Sequence, residues 1–146
     1  MKLTFKKLDP RAVIPSRATV GSAGLDLCAC LEAPVVLAPG EIKMIPIGIT
    51  AEPDSDDIAL LIYPRSGLSS RYGVSLANCV GVVDSDYRGE ICVGLTNHGT
   101  KPFVIEPQTR IAQLIVMPVL PLPILEVDDL SDTERGEKGF GSSGVK

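Results

Sequence analysis

Apolar and polar residues alternate with a period of two through most of this chain, in short runs that glycine or proline cuts off. Residues 2–8 (KLTFKKL) alternate and predict an opening strand. Residues 21–31 (GSAGLDLCACL) start on small residues and then alternate. Leu25, Leu27 and Ala29 share one face, and Asp26, Cys28 and Cys30 the other. Residues 34–37 predict a short strand, and Ala38-Pro39-Gly40 a turn. Along 41–50 (EIKMIPIGIT) apolar side chains fall on both faces, which predicts one strand buried on both sides, in a core or a subunit interface. Pro46 lacks an amide donor and puts that strand at an edge or a bulge. Further strands are predicted over 58–64 (IALLIYP), 74–83, 91–96, 102–105 and 110–120 (RIAQLIVMPVL). Between the first two of these, Ser66 is placed to cap a short helix that Gly73 ends.

Composition narrows the class. The 14 glycines and 12 prolines leave no segment of helical length without a breaker, and Val, Ile and Leu dominate the apolar content. At 146 residues, a single all-β domain with a real core is expected. From Ser131 the chain turns Gly/Ser-rich and charged (SDTERGEKGFGSSGVK), too poor in apolar area to order alone. Residues 1–130 are therefore expected as the β core and 131–146 as a flexible C-terminal arm. Gly139, Gly141 and Gly144 formally match G-x-G-x-x-G, but no strand precedes them and no helix is expected to follow, so a dinucleotide fingerprint is not read there.

A formal charge of −4 offers no general attraction to nucleic acid or to an anionic membrane, so a polyanionic ligand needs locally placed arginines. The opening MKLTFKKLDP lacks the apolar stretch of a secretory signal, and no run reaches transmembrane length; an intracellular, cytoplasmic setting is expected. Cys28, Cys30, Cys79 and Cys92 form no C-x-x-C pair, and the single histidine, His98, sits in an Asn-His-Gly turn. Buried free thiols are expected in place of a zinc site.

The densest chemistry lies in residues 81–91 (GVVDSDYRGEI). The flanking β-branched runs read as a hairpin, for which about two to five small or polar residues suffice. This stretch adds Asp84, Asp86, Tyr87 and Arg88, so it is either a decorated surface turn or a site. Arg65-Ser66-Gly67 at a helix start suits an anion, although most serine N-caps only cap. Asn78 and Gln113 are amides among apolar neighbours. Buried, each must read a polar ligand or bond to backbone, because an unpartnered one costs about 1–3 kcal/mol. Asp26 reads as a turn cap at a strand start, and the Gly-Ser-Ala-Gly before it leaves room for another backbone or an anion. In the arm, Arg135 could meet a phosphate and Phe140 a base.

In chain order, AGLDLCA, PRSGL, GVVDSDYRGEI, RIAQLI and RGEKGFGSSG resemble the five motifs of the trimeric dUTP diphosphatases (dUTPases), over residues 23–144. The resemblance implies a distorted jelly roll, a β-clip barrel, assembled as a homotrimer with active sites at subunit interfaces that the arm closes. It implies hydrolysis of dUTP to dUMP and pyrophosphate with Mg²⁺, lowering dUTP and supplying dUMP for dTMP synthesis. No nucleic acid or membrane partner is implied. By position, Asp84 matches the carboxylate that activates the attacking water, Asp86 a turn-shaping residue, and Tyr87 the ring against the deoxyribose. Asn78, with Gly81, Val82, Val83 and the backbone at Cys92, matches the uracil-reading surface.

Arg65, Ser66 and Gly67 match the phosphate segment, and Gln113 a further phosphate contact. Asp26 matches the acidic residue expected to hold Mg²⁺ through water. In the arm, Arg135 matches the γ-phosphate contact and Phe140, followed by Gly141, the ring that stacks on uracil. Lys138 stands where the family usually has Gly, and Ser143 where it has Thr. Gln108 and Thr109 stand where Gly-Asp usually precedes Arg110, so no role of that Asp carries over. Two alternatives accompany this reading. One is a dCTP deaminase of the same fold, for which Glu90 is the nearest candidate for the amine chemistry. The other is a dUTPase-like regulatory module that binds without turnover.

Overall fold

The computed structural model describes residues 2–139, so Phe140, Gly141 and Ser143 lie outside the described residues. In chain order the elements are β1 (Leu3–Lys7), β2 (Leu25–Cys28), β3 (Val35–Leu37), β4 (Ile42–Pro46), β5 (Ile49–Pro53) and β6 (Ile58–Pro64). Then come α1 (Ser66–Tyr72), β7 (Val74–Leu76), β8 (Gly81–Val83), β9 (Cys92–Asn97), β10 (Phe103–Ile105) and β11 (Arg110–Pro118). The all-β reading holds, with one short helix.

Every strand pairing is antiparallel. A four-stranded sheet runs β2-β11-β6-β8 and a three-stranded one β4-β9-β7, with two-stranded sheets β1-β5 and β3-β10 beside them. Alternation does its expected work in β6, which buries Ile58, Leu60 and Ile62 and turns the residues between them outward. Those side chains join Leu27 and Leu114 of the same sheet, Leu95 of the three-stranded sheet, and Ile105 of β10 in one buried cluster. Asn97, fully buried at the end of β9, satisfies its amide within that cluster's rim. It donates to Leu37 O and Lys101 O and accepts from Gly99 N.

Several expectations are corrected. Residues 41–50 are not one strand. The chain breaks at Ile47-Gly48, where Gly48 has φ +72°, a conformation side chains rarely adopt. A Cβ there would also lie 2.6 Å from Cys30 Sγ. Beyond the break β5 pairs with β1, while Ile42 and Met44 stay exposed and Ile45, Ile47 and Ile49 are buried. Pro46 does fall on an edge strand, since β4 pairs only with β9.

Residues 74–83 are two strands in different sheets, joined by a turn in which Cys79 takes φ +63°. Residues 81–91 are accordingly no hairpin. Strand β8 pairs with β6, whereas β9 pairs with β4 and β7, so residues 84–91 cross from one sheet to the other. The backbone of Ile91 decides this: it donates to Ile49 O and accepts from Ile47 N, which draws the chain to the β4–β5 break and away from β8.

The thiols also divide. Cys28 and Cys30 are buried as expected, but Cys79 and Cys92 are exposed, and all four are free. In α1, Arg65 holds the N-cap position with extended backbone and no side-chain cap; Ser66 is already inside the first turn. Gly73 ends the helix in the left-handed region, as anticipated. No helix among the described residues is long and apolar enough to cross a membrane.

Candidate active site

Asp26, Arg65 and Gln113 meet because β11 lies between β2 and β6. Gln113 sits opposite Asp26 on one side and Tyr63 on the other, and Arg65 follows the end of β6. Both Asp26 oxygens are taken by guanidinium groups, Oδ1 by Arg65 Nε at 3.2 Å and Oδ2 by Arg110 Nη1 at 3.1 Å. Arg65 Nη1 also donates to Arg110 O at 3.0 Å, so the two arginines and the carboxylate form one unit. Gln113 donates from Nε2 to Pro64 O at 3.0 Å. Its Oε1 fills the space over Gly24, where a Cβ would lie 2.6 Å from it. Asp26, Arg65, Gln113 and Gly24, with Ser22, Ser66 and Gly67, line a cleft of about 200 Å³.

A second cleft, of about 300 Å³, opens on the crossover and is lined by Met44, Val82, Val83, Asp84, Tyr87, Glu90, Ile91 and Cys92. The segment is braced from within. Tyr87 N donates to Asp84 O at 3.2 Å, and the Tyr87 hydroxyl donates to Glu90 O at 3.0 Å. The ring lies across Gly89, whose added Cβ would overlap the hydroxyl. Arg88 donates to Ser85 O at 2.7 Å and to Tyr87 O at 3.2 Å, and it pairs with Glu52 of β5 at 3.2 Å. Glu90 Oε1 accepts from Gly48 N at 2.9 Å, giving a partner to a buried amide that would otherwise cost about 1–3 kcal/mol. Burial, and secondarily the Glu90 charge, push the Cys92 thiol up, so it stays protonated at neutral pH.

Sequence reasoning thus named residues that the fold gathers into two groups. Asp26, Arg65, Ser66, Gly67 and Gln113 share the first cleft; Val82, Val83, Asp84, Tyr87 and Cys92 share the second. The expected dilemma of a buried amide resolves differently at its two positions. Gln113 is half-buried and bonds to backbone with one end only, whereas Asn78 is exposed in the β7–β8 turn, close to buried Gly81. Arg135 lines neither cleft; it is exposed and closes a local turn by donating to Lys138 O at 2.9 Å.

Arg110, Met44 and the Glu90 contact were missed. Arg110 and Gln113 have opposite parity, which strict alternation places on opposite faces. A register shift between Arg110 and Ala112 puts both beside Asp26. Gln108, in the place of the usual glycine, is held at φ +63° in the turn leading into β11.

An antiparallel β fold carrying a cleft with Arg65, Asp26 and Gln113 and a separate cleft with Asp84 and Tyr87 defines an all-β protein with two polar clefts. Within that class the family model of the dUTPases matches residues 11–144, and the chain belongs to this family. The deoxyuridine 5'-triphosphate nucleotidohydrolase of Burkholderia ambifaria is 49% identical over 146 residues, 99% of each chain. That of an Azoarcus species is 47% identical over 145 residues, 98% of this chain and 97% of the other. Among solved structures, a Staphylococcus bacteriophage 80alpha dUTPase mutant with dUpNHpp superposes with a TM-score of 0.89 at 27% identity, covering 99% of both chains.

Proposed function

We propose that the protein hydrolyses dUTP to dUMP and pyrophosphate, with Asp84 as the base that activates the attacking water. The observation that carries this reading is the crossover cleft. There a carboxylate, an aromatic ring and the strand residues Val82, Val83 and Cys92 line one space of about 300 Å³. An exposed Asp84 carboxylate can take a proton from a water held in line with the α-phosphorus. The water oxygen bonds to that phosphorus as its bond to the bridging oxygen breaks, and pyrophosphate leaves.

Tyr87 lies against the deoxyribose and refuses a 2′-hydroxyl by contact. Main-chain groups at Gly81, Val82, Val83 and Cys92, with Asn78, pair with the edge of uracil. Arg65, Ser66, Gly67 and Gln113 hold the phosphates. The core of residues 1–130 carries an arm, 131–146, that closes the site with Arg135 on the γ-phosphate and Phe140, next to Gly141, on the base.

The donor set fits Mg²⁺ in one way. Asp26 is the lone carboxylate of its cleft and is already engaged by Arg65 and Arg110. Among the described residues no three His, Cys, Asp or Glu side chains gather as a metal cage. Asp26 would hold a hydrated ion through water. When bound, the ion offsets phosphate charge as pyrophosphate departs.

The separation of the two clefts supports a shared site, in which Arg65 of one chain completes the site of Asp84 of another within a homotrimer, in the cytoplasm. Amine chemistry by Glu90 is disfavoured, because one of its carboxylate oxygens is held by Gly48 N. Pyrophosphate release from dUTP tests the whole reading. The wild type with Mg²⁺ turns over, and Asp84→Asn loses about 10²–10⁴-fold; no release by the wild type sinks the proposal.

A further inference from the structure

We infer that Glu90 is a positioning residue for Tyr87, and through it sets the discrimination between deoxyribonucleotide and ribonucleotide. The inference rests on the reading that Tyr87 faces the sugar.

Gly48 is a fixed post. Its φ of +72° disfavours other residues, a Cβ would strike Cys30 and Ala12, and its carbonyl already accepts from Leu8 N and Asp9 N. The break between β4 and β5 leaves its buried amide outside both ladders, and the acceptor it meets is Glu90 Oε1 at 2.9 Å. Glu90 reaches this post from the far side of the crossover, so its carboxylate ties the crossover to the β4–β5 break. Its own carbonyl then receives the Tyr87 hydroxyl at 3.0 Å.

The ring itself has little else to hold it. Tyr87 is 46% exposed, and the residue beneath it is Gly89, which offers no side chain. Arg88 fixes the Tyr87 backbone through its carbonyl, leaving the hydroxyl end to Glu90. The position of the Glu90 carbonyl therefore decides where the ring edge lies in the cleft. A ring that refuses a 2′-hydroxyl by contact works only while its edge is held to within a fraction of an ångström. The Ile91 amide, in the same peptide plane as that carbonyl, is held by Ile49 O, so cutting the strap to Gly48 removes one of two anchors and widens the range over which the carbonyl and the ring move together.

The test compares kcat/KM for dUTP and for UTP in the wild type, Glu90→Gln, Glu90→Asp and Glu90→Ala, with a thermal melt of each. Gln keeps an oxygen for Gly48 N, whereas Asp keeps the charge but falls one carbon short. The dUTP-to-UTP ratio is expected to fall on the order of tenfold in the Ala and Asp variants and to survive in Gln. Tyr87→Phe, which removes the same bond from its other end, should lower the ratio likewise. A merely structural role would move the melt and both substrates together, leaving the ratio unchanged. An unchanged ratio in Glu90→Asp and Tyr87→Phe overturns the inference. A wild type that hydrolyses neither nucleotide refutes the proposed function instead.

Discussion

Asp84 and Arg65 lie at opposite ends of strand β6. Val83 pairs with Leu60 near the strand's start, and Arg65 follows its last residue, Pro64. At about 3.3 Å per residue, the backbones at Leu60 and Arg65 are about 17 Å apart. That separation supports the proposed site in which the two residues are supplied by different chains.

That separation predicts complementation. Asp84→Asn and Arg65→Ala should each be inactive alone. Refolded together, random assortment restores about a quarter of the sites, since half the chains supply each intact partner. Dead mixtures, once mass spectrometry has verified mixed oligomers, would show that each chain completes its own site.

Asp26 separates two guanidinium groups with a side chain only 18% exposed. Asp26→Asn removes both ion pairs and leaves the arginines facing each other. It should cost about 1–3 kcal/mol in urea unfolding and raise the Mg²⁺ concentration needed for half-maximal turnover. Unchanged unfolding and metal dependence would contradict the role given to Asp26.

Ending the chain after Leu130 tests the arm. The buried cluster lies entirely within residues 12–114, so the truncated protein should melt as the full chain does. Turnover of dUTP should fall by tenfold or more, on the order expected when a closing segment is lost. Full activity without residues 131–146 would remove the arm from the mechanism.

Acid should weaken one surface contact in a defined window. Asp9 is lowered from 3.8 to about 2, first by the side-chain hydrogen bond from Arg11 and then by the Arg11 backbone amide. Native Asp9 thus binds fewer protons than unfolded Asp9 between those values, so stability falls as pH falls. The contribution is complete above about pH 4 and is lost as pH drops through about 2. Asp54 and Glu41, both lowered by backbone hydrogen bonds, act in the same direction. The urea midpoints of the wild type and Asp9→Asn should therefore converge as pH drops from 4 toward 2. A constant gap would mean that Arg11 does not hold the native carboxylate ionised.

Much of the fold was legible because its causes are local. Alternation put Leu27 and Ala29 on one face, where both are buried, the glycines and prolines cut strands at nearly the right places, and Gly73 ended the helix where a left-handed residue was needed. Boundaries failed where one apolar run served two sheets, at Gly48 and at Cys79, since period and propensity do not reveal which edge a strand will pair with. Asn78 misled for a related reason: apolar neighbours in sequence do not bury a residue that occupies a turn.

By itself, then, the sequence determined an all-β chain, the residue types of each motif, and the family that shares them. These depend on short-range periodicity and on spacing along the chain. Only the tertiary structure decided that residues 81–91 bridge two sheets, that a bulge turns Arg110 to Asp26, and that Glu90 holds Gly48. It alone parted Asp84 from Arg65. Each of these is set by strand neighbours and register, which arise from contacts between residues distant in sequence and leave no local trace.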